Sequence, residues 1–252
     1  MKGRNGNIAG CRMVAALFTV LALIFWAIPS IAGAMAGQMQ DLIGRLNAKY
    51  ADFDKKMNNV IIKTVEHSGA SETKMKIYRK NDKLRVESLP ELPGVRLKNP
   101  DALGTVIIWD GSSAWMITAT GQKKIPGVTK DTFQAENNWW KEIARGAKIS
   151  GEETVGGRQC YVIGIARPKA RFDRIWIDKN DLVMVKAATK SPGGKRLEWL
   201  FSDFKNIGGW DVPFKTETLM SGKVVSTSDI ESFEFGRELP DGLFVPPGNS
   251  GQ

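Results

Sequence analysis

This sequence predicts an α+β protein that is mostly antiparallel sheet. Apolar residues switch early from helical spacing to alternation, and short β-type runs separated by turn residues fill the chain from Ile149 to Phe235. Few other stretches keep a helical period. The clearest part is Arg171–Phe235, where Arg174-Ile175-Trp176-Ile177-Asp178, Leu182-Val183-Met184-Val185-Lys186-Ala187 and Leu197-Glu198-Trp199-Leu200-Phe201 are divided by Asp-Lys-Asn-Asp and Pro-Gly-Gly-Lys. That is a meander, and it carries more large apolar surface than a polar site would need.

At 252 residues, with 42% apolar and 25% charged residues, the chain can bury a sizeable core. Its N-terminus reads differently. Lys2, Arg4 and Arg12 precede a span from Met13 to Gln40 that holds no charge, broken by Pro29-Ser30 and followed by Ala32-Gly33-Ala34 and Ala34-Met35-Ala36. Residues 1–36 are expected to be a cleaved secretory signal peptide, and residues 37–252 a single domain in the periplasm. The alternative is an uncleaved inner-membrane anchor, since the uncharged span is long enough to cross a bilayer. Ile8-Ala9-Gly10-Cys11 has the letters of a lipoprotein box but precedes the apolar span instead of following it. Once the leader is removed, Cys160 is the one remaining cysteine and no internal disulfide can form.

The net charge is +9, of which three charges lie in the leader. In an exported protein this argues against nucleic acid as a partner and favours anionic lipid headgroups, or simply a solvated face.

Along the domain, Met39, Leu42, Ile43, Leu46 and Tyr50 make one helical stripe. Val60–Val65 and Glu72–Lys80 alternate as strands, and Asn81-Asp82-Lys83 turns into Leu84–Glu87. Prolines mark Leu89–Pro100 as a loop. Thr105–Trp109 and Ala114–Ile117 form a hairpin about Asp110-Gly111. Gly121–Lys130 reads as a polar loop, and Thr132–Gly146 as a second helix. Leu239–Pro247 is an exit segment, and Gly248–Gln252 is expected to fray.

No catalytic, metal or cofactor set can be assembled. His67 is the single histidine and has no nucleophile elbow or ligand partners in the sequence around it. Ser71-Glu72-Thr73-Lys74, Ser202-Asp203-Phe204 and Lys215-Thr216-Glu217 follow the order of the penicillin-binding motifs. The second lacks its Asn, the third its Gly, and Ser71 opens a strand where a helix is required. Asp178-Lys179-Asn180-Asp181 lacks the Gly and distal Glu of a calcium loop and sits where a hairpin turn belongs.

What remains is aromatic surface. Seven of the eight Trp lie beyond the leader. Trp139 and Trp140 are adjacent on a helix and cannot share one direction, so one of them should face a cavity or solvent.

In order along the chain come Val106-Ile107-Ile108-Trp109-Asp110-Gly111 with Ala114-Trp115, and then Gly151-Glu152-Glu153-Thr154-Val155-Gly156-Gly157-Arg158-Gln159-Cys160-Tyr161-Val162. Arg174–Asp178, Ile207-Gly208-Gly209-Trp210-Asp211-Val212-Pro213 and Leu239-Pro240-Asp241-Gly242-Leu243-Phe244 follow. Together they resemble the outer-membrane lipoprotein-sorting, LolA/LolB-like superfamily, over essentially the whole domain. The resemblance implies a strongly curved antiparallel sheet, an incomplete barrel, with a few helices covering its mouth. It also implies an apolar cavity for the acyl chains of lipoproteins or other long-chain lipids, and transient contact with a membrane-bound donor or acceptor. Under it, Met75, Ile77, Trp109, Trp115, Trp139, Trp140, Trp176, Trp199 and Phe201 are the candidate lining. The function expected is a carrier toward the outer membrane, without catalysis or cofactor. The alternative is a periplasmic sensor or envelope scaffold that holds a protein partner in the same half-barrel.

Overall fold

The computed structural model describes residues 31–56, 58–91, 104–128, 139–168, 170–191 and 193–247. Residues 1–30 of the leader expected at 1–36, residues 92–100 of the loop expected at Leu89–Pro100, and the tail at 248–252 lie outside them. The chain divides into two compact units, Met1–Leu42 and Ile43–Gln252. Among the described residues, no helix is long and apolar enough to cross a membrane.

Helix α1 (Ile31–Lys49) begins eight residues before the predicted stripe, so both small-residue triplets lie in it. The stripe is real: Met39, Leu42, Leu46 and Tyr50 are buried, and Ile43 is half-buried. A single helical turn, α2 (Phe53–Lys56), follows.

The rest is one antiparallel sheet of thirteen strands, not closed into a barrel. Its first meander comprises β1 (Val60–Ser68), β2 (Ser71–Lys80), β3 (Lys83–Glu91), β4 (Thr105–Trp109), β5 (Ala114–Thr118) and β6 (Gly121–Ile125). Its second comprises β7 (Lys148–Val155), β8 (Arg158–Gly164), β9 (Arg174–Asp178), β10 (Met184–Lys190), β11 (Arg196–Ile207), β12 (Trp210–Met220) and β13 (Lys223–Phe235). Every pairing joins sequence neighbours except β1 with β13, which fuses the two meanders at the middle of the sheet. The link between β6 and β7 contains α3 (Trp139–Ile143).

The predicted meander is β9–β13. Two readings need correction. Gly121–Ile125 is a strand, not a loop; it is an exposed edge, so nothing imposes apolar alternation on Gln122, Lys123 and Lys124, and the lysines there discourage pairing with another chain. Leu89 and Pro90 still belong to β3, where they pair with Lys74 and Thr73. Helix is described only over α3 within the predicted span 132–146.

The two faces are set by register. One row across β1–β5 reads Ile61, Tyr78, Arg85, Ile108, Trp115. Against it packs the exit segment, where Leu239 and Phe244 of the 3-10 turn Asp241–Phe244 form a core cluster with Ile61 and Tyr78. Lys80 donates to the Leu239 carbonyl at 2.7 Å, and Arg85 to that of Leu243 at 3.2 Å. The row one residue along reads Val60, Arg79, Leu84, Trp109 and faces the other way.

Candidate functional site

That second face opens on a cavity of about 420 Å3, within the range of roughly 300–1,000 Å3 that small-molecule sites occupy. Its floor is built by alternation. Val60 and Ile62 of β1, Ile77 of β2, and Leu84 and Val86 of β3 line it from consecutive strands. Beyond β1 the wall continues through Ile230 and Phe233 of β13, Val212, Pro213 and Thr216 of β12, and Phe201 and Phe204 of β11.

Two irregularities shape that wall. Ile62 pairs with Phe233 and Thr64 with Ile230, because the register shifts between Lys63 and Thr64; two residues three apart on β13 thus face the same space. Phe201 and Phe204 also share the wall three apart, with Asp203 between them at φ +50°.

The opposite side is aromatic. Tyr50 stacks on Trp140 with centroids 4.4 Å apart and rings at 17°. Trp139 meets Tyr50 edge-on at 5.6 Å, and Phe53 meets both Trp140 and Trp210 edge-on at 5.2 and 5.4 Å. Offset and edge-on contacts of this kind add to the area that aromatic rings bury. All five rings line the cavity.

Polar contacts hold this layer in place. The Tyr50 hydroxyl donates to the Leu182 carbonyl at 3.2 Å, and the Trp210 indole to the Lys49 carbonyl at 3.1 Å. Lys49 lies 3.1 Å from Asp211 and also donates to the Asp181 carbonyl; Arg45 donates to that of Lys179 at 2.8 Å. Burial, then the charge of Asp211, pushes the Tyr50 phenol well above its ordinary range, so it stays a neutral donor. Asp211, Arg79 and Arg171 are the charged members of an otherwise apolar lining.

The predicted residues fall into groups. Ile77, Trp139, Trp140 and Phe201 are brought together in this cavity. Adjacency predicted that one of Trp139 and Trp140 faces a cavity or solvent; both are buried and both line the cavity, their rings meeting at 87° with Tyr50 against each. Met75 lines a second, more open space of about 560 Å3 with Val106, Ile117 and Leu89. Trp109 is buried on the cavity side of β4, outside the lining. Trp115 is on the opposite face, because Trp109 pairs with Ala114 and leaves Trp115 opposite Ile108; its indole donates to Asp110 at 3.0 Å. Trp176 is in a core cluster with Cys160 and Val162, its indole donating to Glu153 at 2.7 Å. Trp199 meets Phe172, a wall residue, edge-on at 5.5 Å.

Sequence reasoning missed Tyr50, Phe53 and Trp210, which close the aromatic side. Tyr50 was visible as the last member of the α1 stripe, and Trp210 follows the Gly208-Gly209 turn. Chemistry elsewhere is structural. Asp178 is buried and accepts from the Asn180 and Asp181 amides at 2.8 and 2.6 Å, so its segment is a turn. Among the described residues, no group of three or more His, Cys, Asp or Glu side chains could hold a metal ion. His67 is the penultimate residue of β1, exposed, with Nδ1 at 3.5 Å from Glu72.

No protein-family model matches the chain, and no curated protein matches its sequence. Its fold does match solved structures. A DUF1329 family protein from Desulfovibrio piger superimposes with a TM-score of 0.58 at 14% identity, covering 84% of this chain and 97% of that one. A LolA superfamily protein from Nitrosomonas europaea gives 0.56 at 17%, covering 81% and 97%. A domain assigned as an outer membrane lipoprotein-sorting protein from Vibrio parahaemolyticus gives 0.54 at 11%, covering 81% and 94%. The chain therefore has the LolA-like fold.

Proposed function

We propose that this protein is a carrier that binds the acyl chains of lipoproteins or other long-chain lipids in the cavity between its sheet and its aromatic layer. It is exported to the periplasm by its leader and moves its cargo toward the outer membrane. The observation that carries the reading is the cavity itself, predominantly apolar and walled by aromatic rings around Tyr50. Burying a chain there yields about 0.8 kcal/mol per methylene, enough to hold a long-chain amphiphile out of water. The LolA-like fold supports the same reading, since one neighbour is assigned to lipoprotein sorting.

Release follows from the same construction. Apart from Trp210 of β12, the aromatic side is made by α2, α3 and the end of α1, and α3 is only five residues long. Short elements hold few backbone hydrogen bonds of their own and can open locally, which lets a carrier exchange cargo.

Native mass spectrometry of protein purified from membranes tests this, together with titration of fluorescent fatty acids. A retained or captured long-chain lipid is expected. No retained lipid and no uptake of the probe would overturn it, and a stoichiometric protein complex instead would favour a scaffold.

A further inference from the structure

We infer that one end of the sheet is a docking surface for an anionic lipid bilayer, with the β12–β13 hairpin as its apolar point. Met220, Val224 and Val225 flank the Ser221-Gly222 turn and are 39%, 55% and 39% exposed. Met220 pairs directly with Lys223 across the turn. A turn serving only to reverse the chain would be expected to carry polar residues at its exposed positions.

The register shows what surrounds this point. Leu197 pairs with Met220, and Lys190 with Arg196, so the end of β10 and the start of β11 lie beside the hairpin. Further along the same edge, Arg174 opens β9 opposite Gly164, which in turn pairs with Lys148. On the other side, Ser68 at the end of β1 donates to the Val225 carbonyl at 3.2 Å. Lys148, Arg174, Lys190, Lys195 and Lys223 are all exposed along this edge. Its acids lie against cations: Asp173 is 3.7 Å from Arg196, and Glu91 is 2.7 Å from Lys74.

The other ends of the strands differ. There Asp178, Asp181 and Asp211 interleave with Arg158 and Lys49, at 2.6 Å for Arg158 to Asp181. Exposed positive charge is thus gathered around a bend that, among the described residues, carries three large exposed apolar side chains. Lysines attract an anionic surface over about a Debye length, while aliphatic groups gain by entering the interface. A bilayer rich in acidic headgroups satisfies both at once.

The experiment uses two labelled proteins in a Cys11→Ser background, in which Cys160 is buried. An environment-sensitive nitrobenzoxadiazole is attached at Ser221→Cys in one and at Asn180→Cys, in a turn at the opposite end, in the other. Any binding through the leader is common to both. Vesicles of phosphatidylglycerol with phosphatidylcholine should brighten and blue-shift the label at 221 and leave that at 180 unchanged, and high salt should reverse the effect. Adding Lys195→Glu and Lys223→Glu should weaken the response at least about tenfold, at the strength each lysine contributes near such a surface. Equal responses at both positions, no response at 221, or a concentration-dependent change at 221 without vesicles would overturn the inference, the last by showing a second copy there instead. None of these outcomes depends on whether the cavity takes lipid.

Discussion

Tyr50 and Trp140 lie face to face, 4.4 Å between ring centroids, while the Tyr50 hydroxyl donates to the Leu182 carbonyl. One side chain from the end of α1 thus ties α3 to the turn that precedes β10. The cavity's aromatic side depends on this pair. Trp140→Ala should therefore cost about 3–5 kcal/mol in urea unfolding, as truncation of a buried Trp does. Tyr50→Phe keeps the ring and should cost about 1 kcal/mol, the net worth of a buried hydrogen bond. If the two substitutions proved equally mild, the stack would not be holding α3.

Gly208 sits at φ +61°, and a Cβ there would lie 2.8 Å from the Phe235 ring. Gly208→Ala should destabilise by about 1–3 kcal/mol through backbone strain together with this clash. Adding Phe235→Ala should recover the part due to the clash, a coupling that a double-mutant cycle reads directly. Strict additivity would remove the ring from the account.

Burial alone would raise the Asp110 carboxyl, but the Ser112 hydroxyl, the Ser112 and Ser113 amides and the Trp115 indole outweigh it and hold it below its ordinary value of 3.8. A carboxyl depressed in the folded state adds stability above its unfolded pKa, and that stability is lost as pH falls through the folded value. Stability should thus fall with acid below about pH 4, the unfolded range for Asp. In Asp110→Asn, urea midpoints between pH 5 and pH 2.5 should fall less steeply. An unchanged slope would contradict this.

Asp178 is the capping acceptor of its turn and lies 3.4 Å from Arg158. Asp178→Ala should cost about 1–3 kcal/mol by leaving the Asn180 and Asp181 amides without their acceptor, while Arg158 keeps Asp181. Calcium should leave the melting temperature of the parent unchanged. A calcium-dependent rise would return this segment to the metal-binding class.

The fold was legible because its turns are written in residues with local reasons to turn. Asn81-Asp82, Lys179–Asp181, Gly193-Gly194 and Gly208-Gly209 all fall between strands, and the α1 stripe is buried as spaced apart from the half-buried Ile43. β6 was not legible, since an exposed edge needs no apolar alternation. The cavity was legible in kind but only partly in membership. Alternation alone puts Phe233 and Ile230 on opposite faces, and likewise Phe201 and Phe204; the bulge at Lys63/Thr64 and the left-handed Asp203 reunite each pair. Trp115 fails for the converse reason: once Trp109 pairs with Ala114, parity sends it to the far face. Bulges depend on backbone geometry that no spacing of apolar letters records.

The central claim, an acyl chain held between sheet and aromatic layer, is tested most directly by photo-crosslinking. A long-chain fatty acid carrying a diazirine on its tail would be irradiated with the protein and the adducts mapped by peptide mass spectrometry. The account predicts saturable adducts at Ile62, Ile77, Phe201 and Trp140, all of which line the cavity. Adducts confined to Trp115 on the opposite face, or none that an unlabelled fatty acid competes away, would contradict it.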